Sequence, residues 1–477
     1  MIEVGRNSII VRNVDKDSNE FKKVNYAYSL YDKVKHKYVF SVFTVIDSDL
    51  YFPASIGVDN IEKYFPDKKV VYNYMTTAKA ASMSYNMRHA PKNELQQKAI
   101  RFMMTMRKDN KVRSRFLSLA TGSGKTYVSI NVISQLKKKA MIIVDSISLA
   151  DQWRGEFLKH TDLKESDIVI LSGQDIVNAE SKNPTAKIYI AIHRTLGNML
   201  ATDTNSVNLL MNKLHIGIRV FDESHVEFGN ICKLNSLSNV EYTIYLTATP
   251  SRSNFIDNSL YAKVFGKIPY FNGKDLSGEK YHTVIFYPMN SSPSITQKTS
   301  CRTKYGFSIQ KWAGYISSDE AYPLLLEAIS GIFSKFKLTE RKMKTAIVLP
   351  TIKLIKKVSE DLKLLYPEID IGLFIGELKP KEREEAKEKM FMITDDKMFD
   401  KAIDIPDLEI LINVVDFGSL VKTEQMIGRL RYHEGKQSIY IDVVDNGFDE
   451  CIAHSKIRKR FFKKHAKQII EISKGEF

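Results

Sequence analysis

The feature that most restricts this chain is a rhythm of short apolar runs. After about residue 110 come "RFLSLA", "AMIIVD", "DIVILSG", "KIYIAI", "IRVFDES" and "YTIYLTATP", separated by amphipathic stretches such as "GKTYVSINVISQLKKK" and "SLADQWRGEFLKH". A strand that is apolar along its whole length needs cover on both faces, and the intervening helices supply it. The pattern predicts a parallel sheet between two helical layers. A second set follows residue 330, with "KTAIVLPT", "IDIGLFIG", "EILINVVD" and "QSIYIDVVD" and helices such as "PKEREEAKEKMF" between them. Residues 251–330 read as less regular, with "NSSPSITQKTS" as a polar loop.

The first 90 residues differ in texture. "NYAYSLYD", "KYVFSVFTVI" and "LYFPASIG" are rich in aromatic and β-branched residues, with a turn at 47–49, and helical texture waits until "MTTAKAASMSYNM". This predicts a small α+β module, followed by two α/β halves of similar size. The expected domains are residues 1–90, 91–275 and 276–477. No short-period repeat or low-complexity tract interrupts them.

Composition narrows the class. With 477 residues, 43% hydrophobic and 27% charged, the chain can build several cores. It has neither a long uncharged apolar run nor a secretory signal pattern at its start. Cys232, Cys301 and Cys451 are far apart and show no metal-binding spacing, so a reducing, cytoplasmic setting is expected. A formal charge of +15 favours acidic partners such as nucleic acid by long-range attraction. A membrane role for the basic tail lacks a lipidation motif or a broad apolar face.

The sharpest local signal is "LATGSGKT" at 119–126, a strand–turn–helix sequence. Gly122 and Gly124 let backbone N–H groups face phosphates, with Thr121 and Ser123 in the same turn, and the helix N-terminus adds partial positive charge. Lys125 would reach the β/γ-phosphates and the Thr126 hydroxyl would hold Mg²⁺. Leu119 stands where such loops usually have their first glycine. About a hundred residues later, "IRVFDESH" places Asp222 and Glu223 at the end of a buried strand. Asp222 would hold the Mg²⁺, and Glu223 would activate the attacking water.

With these motifs in this order, the chain resembles a superfamily 2 helicase, near the DEAD/DEAH-box subgroup. "LTATP" (246–250) resembles the motif coupling hydrolysis to strand contact, which implies roles for Thr247 and Thr249. "LQQKAI" (95–100) resembles the adenine-reading motif, which points to Gln96. "IDIPDLEILINV" (403–414) implies a nucleotide contact for Asp404, and "QMIGRLR" (425–431) implies arginine fingers at Arg429 and Arg431. The matches span residues 95 to 431, about three quarters of the chain. Two departures stand out: Ala402 replaces a glycine before Ile403-Asp404, and Tyr432 occupies the usual place of the second arginine, which leaves Arg431 one residue early.

The resemblance implies two RecA-like domains in tandem behind the N-terminal module, ATP and Mg²⁺ as ligands, and a monomer. It also implies a motor that grips nucleic-acid backbones. Ser146, Arg194, Thr195 and Thr351 follow strand ends, where backbone phosphate contacts are expected. The nearest texture is that of phage and viral helicases that remodel branched or forked DNA. A viral branch that releases transcripts and restriction-enzyme motor subunits share the core, so RNA stays open as a partner. A nucleic-acid-binding scaffold with an inactive motor is the reading from a different class.

Two outlying regions are less specific. The tail "KIRKRFFKKHAK" offers Arg458, Lys459 and Arg460 for nucleic acid, while Phe461 and Phe462 are expected to pack on the second half. Residues 1–90 carry 13 Lys/Arg against 10 Asp/Glu, so a packing module is nearly as good a reading there as a DNA grip. Tyr26, Tyr28, Tyr31 and Phe43 are expected in a core or on a sheet face.

Overall fold

Five short strands at the N-terminus form a mostly antiparallel sheet: β1 (Ile2–Val4), β2 (Ser8–Val11), β5 (Thr44–Ile46), β6 (Asp49–Pro53) and β7 (Val70–Tyr72), in the order β5-β6-β2-β1-β7. Between β2 and β5 lie helix α1 (Asn19–Tyr28) and a separate hairpin of β3 (Ser29–Asp32) and β4 (Lys37–Ser41). The computed structural model describes residues 1–32, 35–74, 80–109, 113–119, 123–171, 173, 185–224, 227–247, 255–273, 280–304, 306–400, 405, 407–430 and 438–472. The chain divides into two units, Met1–Ser277 and Gly278–Phe477.

The helix α1 corrects the reading of "NYAYSLYD" as strand over its first half, while Ser29–Asp32 is the strand β3. Ser18 caps it by accepting from the Phe21 N–H, and Val24 and Tyr28, four residues apart, face inwards. The tyrosines' strand propensity yields to that cap and spacing. The stretch "MTTAKAASMSYNM" is not the expected helix over its described part: residues 80–87 are extended, with bridges Ser82↔Lys138 and Met87↔Thr161.

The rest of the first unit is a seven-stranded parallel sheet: β8 (Ser114–Ser118), β9 (Ala140–Val144), β10 (Ile168–Leu171), β11 (Ile188–Ile192), β12 (Ile218–Phe221), β13 (Tyr242–Thr247) and β14 (Tyr270–Asn272). Its order is β10-β11-β9-β12-β13-β8-β14. Every residue of β9, β12 and β13 is buried, as a sheet covered on both faces requires. The N-terminal sheet shares one hydrophobic core with this lobe. Asn7 fastens the two, accepting from the Val240 N–H at 2.9 Å.

The second unit carries another seven-stranded parallel sheet: β15 (Thr283–Met289), β16 (Thr345–Leu349), β17 (Ile371–Phe374), β18 (Phe391–Asp395), β19 (Ile410–Asn413), β20 (Ile439–Asp445) and β21 (Gln468–Glu471). Its order is β17-β18-β16-β19-β20-β15-β21. Strand for strand, this repeats the first lobe: the first strand of each lies sixth, the second third, the last at the edge. These are the two RecA-like lobes in tandem that the resemblance implies. The "less regular" stretch 251–330 in fact holds β15, whose register with β20 runs from Thr283↔Ile439 to Met289↔Asp445.

Candidate nucleotide site

Strand β8 delivers the chain to the phosphate loop. Leu119, in the place of the customary glycine, is fully buried, and Gly273 makes room for it: a Cβ at Gly273 would meet Leu119 Cδ2 at 2.2 Å. Thr121 and Gly122 lie outside the described residues. Gly124 opens helix α3 (Lys125–Leu136) with φ +94°, a left-handed conformation that favours glycine. Lys125 and Thr126 then occupy the first helical turn.

Gln96 braces this loop. It sits in the first turn of α2 (Glu94–Met104), capped by Asn93, and is 5% exposed. Its side-chain oxygen accepts from the Lys92 N–H at 2.9 Å, and its Nε2 donates to the Ser123 carbonyl at 3.3 Å. A Cβ on Gly124 would meet that Nε2 at 2.4 Å. Both ends of the amide thus engage the protein here.

The acid pair comes from the far end of β12. Glu223 adopts φ +43°, which turns the chain sharply after the strand, and its Oε1 lies 3.3 Å from Lys125 Nζ. Asp222 accepts from the Trp153 indole N–H at 2.8 Å and from the Glu223 N–H at 3.0 Å. Burial first, and the Glu223 charge second, push the Asp222 pKa up to about 6 against the pull of Lys125. Trp153, on α4 (Ile147–His160), is 2% exposed and was not singled out by motif. Its signal was the "W" in a helix that follows a buried strand.

The "LTATP" strand end adjoins this pair. The Ser224 N–H donates to the Leu246 carbonyl at 2.9 Å, and the buried Thr247 is in register with Ser118 of β8. So "GKT", "DES" and "LT" meet at one edge of the sheet. Thr249, Asp404 and Arg431 lie outside the described residues. Arg429 follows α9 (Leu420–Ile427) and is half-buried, its N–H bonded to the Met426 carbonyl at 3.2 Å.

Of the expected strand contacts, Ser146 caps α4 by accepting from Leu149 N–H at 3.4 Å. Arg194 is exposed and Thr195 half-buried in the first turn of α5 (His193–Thr202). Two further helices of the first lobe are α6 (Phe228–Leu237) and α7 (Phe255–Phe265). In the second lobe, Thr351 caps α8 (Ile352–Leu365), accepting from Leu354 N–H at 3.3 Å. Ser146 and Thr351 therefore hold equivalent places, after the third-placed strand of each sheet. Each hydroxyl, while accepting, keeps a hydrogen to donate.

Arg458 requires a correction. It is 1% exposed on α10 (Asp449–His465), with Nε 2.8 Å from Asp442 and a terminal nitrogen 3.3 Å from Asp416. Cys451, Arg458 and Phe462 recur on the inward face of the helix, so Arg458 ties α10 to the strand ends and is withheld from nucleic acid. Lys459 pairs with Glu471, while Arg460 is exposed. Phe462 is fully buried and Phe461 packs against the same core, as expected.

Comparison with known proteins agrees with this geometry. The family model described as "Type III restriction enzyme, res subunit" matches residues 90–252. Over 366 residues the chain is 23% identical to the DNA 3'-5' translocase XPB2 of Sulfurisphaera tokodaii, covering 71% of this chain and 79% of that protein. It is also 23% identical over 327 residues to the DNA 3'-5' helicase XPB of Kineococcus radiotolerans, covering 66% of this chain and 54% of that one. Across the curated relatives it matches, the chain spans from 21% to 79% of their length. Among solved structures, S. cerevisiae Dbp5 bound to RNA and ADP BeF3 has the same fold, with a TM-score of 0.52 at 13% identity, covering 80% of this chain and 89% of that one. Among the described residues no helix is long and apolar enough to cross a membrane. These matches support a superfamily 2 helicase core and, with it, an ATPase enzyme.

Proposed function

We propose that the chain is a nucleic-acid-stimulated ATPase working as a DNA helicase or translocase, and that its substrate is branched or forked DNA. The observation that carries the reading is the constellation of Lys125, Glu223, Asp222 and Trp153 at one sheet edge beside the N-terminus of α3. In this scheme Lys125 leaves Glu223 for the β/γ-phosphates of ATP, which frees Glu223 to take a proton from the attacking water. Trp153 holds Asp222 in place, as an oriented donor does for a metal-ligating carboxylate.

The donor set suits Mg²⁺, a hard cation that takes one or two carboxylates together with substrate phosphates. Burial, and then the Glu223 charge, raise Asp222, so a bound cation would favour its carboxylate form. Thr126 and Asp222 would hold the ion, which supplies neutralisation of phosphate charge when bound. Gln96 links α2 to the phosphate loop, so any adenine contact it makes would be felt at Ser123. Arg429 and Arg431 as arginine fingers and Asp404 as a nucleotide contact remain proposed roles, as the resemblance implies. Ser146, Arg194, Thr195, Thr247, Thr249 and Thr351 are the proposed backbone contacts, with Lys459 and Arg460 at the tail.

The relatives named above act on DNA with 3'-5' polarity, which favours DNA and that polarity here. The test is ATP hydrolysis without polynucleotide and with single-stranded DNA, forked or four-way DNA, or RNA. Strongest stimulation by branched DNA is expected. Stimulation by RNA alone would move the reading to transcript release, and no hydrolysis under any condition would favour an inactive scaffold.

A further inference from the structure

The N-terminal module carries a surface that the nucleotide site does not use. Tyr28 and Phe43 are buried as expected, but Tyr26 is 79%, Tyr31 44% and Tyr38 40% exposed. Tyr31 and Tyr38 oppose each other across the β3–β4 hairpin, with ring centroids 5.1 Å apart and planes at 71°. Towards the turn, Lys35, His36 and Lys37 are all exposed, and Asp32 lies 3.9 Å from Lys35 Nζ. An exposed aromatic pair beside a cluster of cations is a surface that a ligand of opposite charge would cover.

The inner side of the same hairpin is firmly seated. The Phe40 ring packs on Phe228 at 5.6 Å, and Phe228 is the first residue of α6, the helix that follows the acid pair. Lys263 on α7 fastens the end of α1, which leads directly into β3: it donates to the Ala27 carbonyl at 2.6 Å and lies 5.4 Å from the Tyr28 ring. The hairpin is thus held against the first lobe with its aromatic, basic face outward.

We propose that this outer face binds single-stranded nucleic acid, with bases stacking on Tyr31 and Tyr38 and phosphates meeting Lys35 and Lys37. The proposal rests on the reading of the chain as a nucleic-acid motor and adds a contact outside the two parallel-sheet lobes. Charge complementarity selects a polyanion. The ring pair selects one with accessible π-faces, which a single strand offers along its length and a duplex only at its ends. Seating on α6 places this contact one helix from Asp222 and Glu223.

The experiment measures binding of a fluorescein-labelled single-stranded oligonucleotide and of a blunt duplex to the full chain across a salt series. Tyr31→Ala/Tyr38→Ala should weaken single-strand binding at least tenfold, in line with about 1–3 kcal/mol per stacked base. Tyr31→Phe/Tyr38→Phe, which keeps both rings, should bind within about twofold of wild type. Lys35→Ala/Lys37→Ala should flatten the salt dependence by about one per lysine lost. Hydrolysis without polynucleotide should be unchanged in all three. If the wild type binds and both alanine variants match it, the proposal fails while the motor reading stands. Weakened duplex binding with single-strand binding intact overturns the choice of strand. If the wild type binds neither probe and no polynucleotide stimulates hydrolysis, the motor reading falls and this proposal with it. Should the tyrosine variant melt well below wild type, the lysine variant decides alone.

Discussion

In the first lobe the sixth-placed strand, β8, runs into the phosphate loop and then into α3, whose N-terminus begins at Gly124 and has no side-chain cap. In the second lobe the strand in the same place, β15, runs into Ser291, which donates to Asp445 at the end of β20 at 2.5 Å. Trp312 and the Gly447 N–H complete the enclosure of Asp445, at 3.0 Å each, and the short helix that follows is capped by Ser294. Each lobe therefore uses one of the chain's two tryptophans to hold an aspartate at a strand end. Asp222 sits beside Lys125 and Glu223, whereas Asp445 is closed in by its own lobe. The common architecture positions strand ends; whether a ligand can use them depends on which polar groups the protein has already paired.

The largest expected effect breaks the first lobe's chemistry without touching the second. Glu223→Gln should lower kcat by about a thousandfold, the scale of a general base, while Asp445→Asn should leave kcat per folded molecule within about twofold. Steady-state hydrolysis by the two purified variants checks this.

The next contrast is structural. Removing the buried guanidinium in Arg458→Ala leaves Asp416 and Asp442 without their shared cation and should cost about 3–5 kcal/mol. Arg460→Ala, two residues along and exposed, should shift stability by about 0.5 kcal/mol or less. Urea denaturation of the two variants separates them.

Acid should weaken both lobes together. Burial lowers His193 in the first lobe and His282 in the second from 6.5 to about 4. The unfolded chain then takes up protons first as pH falls. The stabilisation is complete above pH 6.5 and is lost between there and about 4, at most about 3 kcal/mol per ring. Melting curves from pH 7 to 4.5 should show this loss, and it should shrink in His193→Phe, which keeps a ring to stack on Phe221.

The smallest effect compares the tryptophans. Trp153→Phe removes one donor to Asp222 and should raise the Mg²⁺ needed for half-maximal hydrolysis about tenfold, from about 1.5–3 kcal/mol for a bond to a charged group. Trp312→Phe should cost stability of the same order and leave the Mg²⁺ dependence unchanged.

Much of the first lobe was legible because its strands are uniformly apolar and its motifs depend on local order. "GKT" and "DES" could be placed at strand ends from sequence alone. Features set by tertiary partners were hidden. Strand β15 was lost in "YHTVIFYPM" because no adjacent helical pattern framed it, and without it the duplication of strand order was invisible. Strand β18 was not among the runs read as strands, and the helical reading of "PKEREEAKEKMF" extended to its first residue, Phe391. Arg458 was assigned by counting charges along the tail, whereas the helical phase of Cys451, Arg458 and Phe462 decides that it points inward. Tyr26 and Tyr31 were expected in a core or on a sheet face; Tyr31 does lie on a hairpin strand, but Tyr26 stands exposed on α1, because aromatic composition alone does not tell which ring meets the core.

The most direct test of the contrast between the lobes is calorimetric titration of Mg²⁺-ATP into the wild type, Lys125→Ala and Asp445→Asn. The account predicts one nucleotide per chain, lost in Lys125→Ala and retained in Asp445→Asn. Undiminished binding in Lys125→Ala, or a second nucleotide per chain that Asp445→Asn removes, would contradict it.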